Sequence, residues 1–146
     1  MRYQSIDDLE SVIPKILEQL PYLKLLILFG SRARGDNDAT SDWDFAVLYD
    51  EEMRKRYEQS GWDCYRGWGV LEQALKLSEA IDFIVLNDCS DILAHTVARN
   101  GKLIYEQTPG EFEAFRQRAL KSAAELKRIH REEREKLELK LQKWGV

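Results

Sequence analysis

Ten residues separate the pair Gly30-Ser31 from the acids Asp42 and Asp44, and these four residues have the chemistry to hold phosphates and a divalent cation. Glycine at a strand end permits backbone conformations closed to other residues and lets a ligand approach the chain closely. Ser31 offers a hydroxyl and an amide where a short helix would begin, and such a start favours anions. Nucleotide phosphates are the natural guest. Asp42 and Asp44 lie two apart on a predicted strand, so both carboxylates project from one face while Trp43 and Phe45 project from the other. Adjacent carboxylates repel each other until a cation neutralises them. Mg²⁺ suits the pair, because it takes one or two carboxylates plus substrate phosphates.

Asp82 leads another apolar run, Ile81 to Leu86, and is the third candidate. If the two strands are neighbours, three carboxylates converge. Three acids can hold two Mg²⁺ ions, one at an attacking hydroxyl and one at the leaving oxygen. Asp82 is also placed to take the hydroxyl proton. Arg34 is a candidate phosphate contact, whereas Arg32 is weighed evenly between phosphate and surface. Asp36 and Asp38 read as turn residues.

The elements that must position these residues follow from periodicity. Ser5 and Asp8 resemble a capping box ahead of a stripe formed by Leu9, Ile13, Ile16, Leu17 and Leu20. Pro14 kinks that helix or starts a second segment, and Pro21 ends it. Leu23 to Phe29, closed by Gly30, reads as a buried strand. Asp42 to Tyr49 is a second strand, Ile81 to Leu86 a third, and Lys102 to Glu106 a last edge strand. Residues 50–58 read as a helix or ordered loop, 61–69 as an irregular segment with Trp62, Tyr65 and Trp68, and 70–80 as a helix. Residues 91–100 form a short helix stopped by Asn100-Gly101. The order indicates an α/β or α+β domain with a small mixed sheet. His95 and His130 read as structural or surface residues.

After Pro109-Gly110 the chain runs from Glu111 to about Lys143 without Gly or Pro. These 33 residues would span about 50 Å as one helix. A body of this size is roughly 30 Å across, so the helix projects or bends back as two segments. Phe112, Phe115 and Ala119 are near enough to pack on the body. Leu126, Ile129, Leu137 and Leu141 continue the stripe beyond it. The division expected is residues 1–109 as the catalytic domain and 110–146 as a C-terminal amphipathic helix suited to self-association or a helical partner.

Composition narrows the class. The chain has 146 residues, 44% of them hydrophobic, enough for one domain with a normal core. The net charge is −4, divided between an acidic body and a basic tail. Residues 1–109 hold 12 Lys/Arg against 19 Asp/Glu, whereas residues 110–146 hold 10 against 7. An acidic body argues against a dedicated nucleic-acid binder. No run is long enough to span a membrane, and the N-terminus lacks a signal-peptide layout, so a cytoplasmic protein is expected. Cys64 and Cys89 are expected as reduced thiols.

The string GSRARGDNDATSDWDFAV resembles the DNA polymerase β-like nucleotidyltransferases. More narrowly, residues 5–107 are similar to the minimal nucleotidyltransferase (MNT) antitoxins of the MntA type, which accompany HEPN-domain toxins. The resemblance implies the polymerase-β palm, a short mixed sheet flanked by helices. It implies that Gly30 and Ser31 hold the phosphates of ATP. It also implies Asp42 and Asp44 as ligands of catalytic Mg²⁺, with Asp82 as third ligand and base. The implied reaction is transfer of AMP to a tyrosine hydroxyl of the cognate HEPN ribonuclease, which silences that toxin. Two alternatives are a nucleotidyltransferase acting on a small molecule such as an aminoglycoside, and a module that masks a toxin without chemistry.

Overall fold

The computed structural model describes residues 9–57, 66–75 and 80–145. Four strands form one sheet in the order β3-β2-β1-β4: β1 Leu23–Phe29, β2 Trp43–Tyr49, β3 Ile81–Val85 and β4 Lys102–Glu106. β1 pairs antiparallel with β2 and with β4, whereas β2 and β3 run parallel. The sheet is therefore mixed, as its alternation with helices implied. β1 is central and apolar on both faces, which is why LKLLILF shows no clean alternation. A register irregularity between Leu23 and Leu25 returns Leu23 to the face shared by Leu26 and Leu28.

Helices cover both faces. On one, α1 (Ile13–Gln19) and α4 (Arg66–Leu75) bury Ile13, Ile16, Val70, Leu71 and Leu75 against Leu26, Leu28, Phe45 and Val47. Pro14 sits in the first turn of α1, where its missing N–H has no intrahelical partner to lose. A four-residue helix, α2 (Ser31–Arg34), follows β1, and α3 (Glu51–Tyr57) follows β2. On the other face, α5 (Asp91–Asn100) and α6 (Glu111–Ala119) bury Val97, Ala98, Phe115 and Ala119 against Leu25, Ile27 and Ala46. The approach of α5 to β1 is close, since a Cβ at Gly101 would overlap Ile27 and the Val97 carbonyl.

The long C-terminal run divides in two. α6 ends at Ala119, the Leu120 that caps it has an extended backbone, and α7 spans Ala123–Lys143. Ser122 and Glu125 form a reciprocal capping box that starts α7. The break is held from the body by His95, whose Nδ1 accepts the Lys121 N–H at 2.9 Å. Phe115 and Ala119 pack into the core as expected, but no residue of α7 is buried. Leu137, Leu139 and Trp144 are exposed there.

Other boundaries shift slightly. β2 begins at Trp43, so Asp42 stands one residue before it. The helix expected from Val70 starts at Arg66, which makes Gly67 to Gly69 helical. The expectations for Ser5, Asp8, Trp62, Cys64 and Tyr65 lie outside the described residues. Cys89 is a free thiol, pushed up by burial. No described helix is long and apolar enough to cross a membrane.

Candidate active site

The end of β1 and the starts of β2 and β3 meet at one edge of the sheet. Phe29 pairs with Asp44, and Asp44 pairs with Asp82 in the parallel ladder. Trp43 and Phe45 are buried on the opposite face, where their rings stack with centroids 6.3 Å apart. That packing fixes the face on which Asp44 projects, because neighbouring side chains on a strand alternate. Asp44 is half-buried and Asp82 exposed on the edge strand.

The carboxyl of Asp44 is pushed up to about 6. Burial is the largest cause, followed by the charge of Asp82, a hydrogen bond shared with Asp82 and the charge of Asp42. Arg34 acts in the opposite direction. The fields of Asp42 and Asp82 thus both reach Asp44. Among the described residues no three His, Cys, Asp or Glu side chains are grouped as a ready-made metal cage. Asp44 and Asp82 are brought side by side by the parallel register of β2 and β3. A donor set of carboxylate oxygens alone fits a hard cation such as Mg²⁺.

Gly30 completes this corner. Its φ is +74°, a conformation that L side chains rarely adopt, and a Cβ there would overlap Asp44 Oδ2. Gly30 O accepts from the amides of Ala33 and Arg34, so the helical bonds of α2 begin there and the Ser31 and Arg32 amides stand ahead of them. Ser31 is therefore at the helix start predicted for it. Arg34 lies one turn on and pairs with Asp36 at 3.2 Å.

The loop between Ser31 and Asp42 is held by side chains that spacing alone did not assign. Asp38 Oδ1 accepts from the Thr40 amide at 2.8 Å and the Thr40 hydroxyl at 2.7 Å. These bonds hold its carboxyl below the usual range, and the residue is a turn residue as expected. Arg32 is turned onto the end of this loop. Its Nε and Nη2 both donate to the Ser41 carbonyl, at 3.0 and 2.9 Å, and its guanidinium lies 4.2 Å from the centroid of the Trp43 ring.

The chain that builds this corner is similar to known proteins. A family model described as "Polymerase beta, Nucleotidyltransferase" matches residues 11–109. The chain belongs to the polymerase β nucleotidyltransferase family. Within that family it is 46% identical over 144 residues to the protein adenylyltransferase MntA of Aphanizomenon flos-aquae, covering 97% of this chain and 96% of that protein. Among solved structures it is similar to a chain in the crystal structure of a toxin–antitoxin with AMP-PNP. There the TM-score is 0.61 at 25% identity, covering 91% of this chain and 98% of that chain. The same fold occurs in a complex of a tri-AMPylated Shewanella oneidensis HEPN toxin with its MNT antitoxin. That match has a TM-score of 0.59 at 22% identity, covering 94% of this chain and 99% of that one.

Proposed function

We propose that this nucleotidyltransferase moves AMP from Mg·ATP to a tyrosine hydroxyl of a cognate HEPN ribonuclease and acts as the antitoxin to that toxin. The observation that carries the reading is the corner where Gly30, Asp44 and Asp82 meet across three strands. The 46% identity to an MntA adenylyltransferase over nearly the whole chain supports the choice of reaction. Similarity to a toxin–antitoxin chain solved with AMP-PNP supports ATP and a toxin partner.

In this account Gly30 lets the triphosphate approach the backbone, and the Ser31 amide and hydroxyl hold it. Arg34 adds a positive charge beside the phosphates when it leaves Asp36. Asp42, Asp44 and Asp82 would hold Mg²⁺, which when bound would neutralise charge on the phosphates and polarise the attacked phosphorus. Asp82, exposed at the sheet edge, faces an arriving protein and takes the tyrosine proton. The phenolic oxygen forms a bond to the α-phosphorus as the bond to the bridging oxygen breaks, and pyrophosphate leaves. Much of the rate enhancement comes from holding these groups in line. Residues 1–109 carry this chemistry. The tail from 110 offers a partner-facing helix, α7.

The test is to co-express the chain with a candidate HEPN-domain partner and analyse that partner by peptide mass spectrometry. AMP on a tyrosine of the partner is expected. Its absence, or AMP on a small-molecule acceptor instead, would overturn the reading.

A further inference from the structure

We propose that Arg32 is a positioning residue for Asp42, gripping the residues on either side of it and locking the carboxylate to the Gly30-Ser31 turn. The inference rests on the metal-holding role proposed for Asp42.

Asp42 needs such support. It precedes β2 and has no partner in the ladders that fix Asp44 and Asp82. It follows an eleven-residue stretch that starts at Ser31 and consists mostly of exposed residues. Arg32 closes that stretch. Two N–H groups of one guanidinium converge on the Ser41 carbonyl, the peptide oxygen immediately before Asp42. The same planar group lies over the ring of Trp43, the residue immediately after. Trp43 is itself anchored, 4% exposed and with its amide donating to the Ala80 carbonyl at 2.9 Å. Arg32 starts from α2, one residue after Ser31. A single side chain therefore ties the phosphate-holding turn to the acid that begins β2. Only arginine combines a forked donor with a flat face that stacks on an aromatic ring.

The sign of the effect separates positioning from simple electrostatics. Removing a positive charge near a cation site should strengthen cation binding by Coulomb's law. Loss of a group that orients a metal ligand weakens binding, by about 10-fold or more.

The experiment uses the full chain, with Mg²⁺ titrated calorimetrically in the presence of α,β-methylene-ATP, alongside AMP transfer as a function of Mg²⁺. Arg32→Gln and Arg32→Lys are both expected to raise the Mg²⁺ midpoint about 10-fold. Excess Mg²⁺ should restore much of the transfer by Arg32→Lys. In an Asp42→Asn background, Arg32→Gln should add no further loss. An unchanged or lowered midpoint in the folded variants, or fully additive losses, overturns the proposal. So does failure of both variants to fold, because Arg32 would then hold the fold as a whole rather than Asp42. If the parent chain itself shows no Mg²⁺-dependent nucleotide binding, the role of Asp42 fails first, and this result is distinct from the others.

Discussion

Replacing Asp44 by Asn should stabilise the metal-free protein, and the gain should depend on pH in a specified direction. The Asp44 carboxyl rises from 3.8 to about 6 because burial and the neighbouring acids disfavour its charge. That difference sets a ceiling of about 3 kcal/mol on what the ionised form costs the folded state. Asp44 is only half-buried and solvent screens it, so about 1 kcal/mol is expected. Between pH 4 and 6 the folded state holds this proton more tightly than the unfolded state. The contribution of Asp44 to stability is therefore complete below about pH 4 and declines as pH rises through about 6. Asn cannot lose a proton, so the variant should gain on the parent over that interval and keep a constant lead above about pH 7. For a chain of this size the lead corresponds to roughly 2–4 °C in Tm. Paired urea titrations of parent and variant from pH 5 to 8, in EDTA, measure it. Added Mg·ATP should raise the Tm of the parent and leave that of the variant nearly unchanged. A variant less stable than the parent at pH 8, or a difference that does not change with pH, would refute the electrostatic account of the corner.

Gly30→Val places a β-branched side chain at φ +74° and drives its Cβ into Asp44. A stability loss of about 1–3 kcal/mol is expected, with loss of nucleotide binding by calorimetry, and parent-like ATP affinity would show that the turn is not the phosphate cradle. His95→Leu leaves the Lys121 amide without its buried acceptor, which should cost about 1–3 kcal/mol in denaturant unfolding. A neutral result would mean that the bond does not hold the α6–α7 junction. Ending the chain at Ser122 removes α7, none of whose residues is buried. The shortened protein should keep its Tm within a few degrees and bind Mg·ATP, but lose its partner in sedimentation, and retained association would place the interface elsewhere.

The sequence was most informative where side-chain chemistry and strand geometry agree. Asp42, Trp43, Asp44 and Phe45 alternate, and the structure buries the two aromatic residues while leaving Asp44 on the other face beside Asp82. The neighbourhood of β2 and β3 could be stated only as a condition, because strand order depends on contacts remote in sequence. Arg32 was ambiguous for the same reason. Its partners, Ser41 and Trp43, are nine and eleven residues away and are reached only when the loop closes. The break between α6 and α7 did have a local signal. Ser122 followed by Glu125 is a capping pair, obscured by a run of good helix formers free of Gly and Pro. His95 offered no such signal, since its acceptor role appears only when Lys121 comes near. The early start of α4 at Arg66 was concealed by the glycines at 67 and 69, which lower helix propensity without forbidding a helix.

In the proposed reaction, AMP passes to a protein hydroxyl at the corner formed by these acids. The most direct measurement is label transfer from α-labelled ATP to the co-purified HEPN partner, comparing the parent with Asp42→Asn/Asp44→Asn. Both proteins should be folded by circular dichroism, and the double variant should be at least as heat-stable without metal. Mg²⁺-dependent label on the partner is expected with the parent, and none above background with the variant. Undiminished labelling by the folded double variant would contradict this reaction.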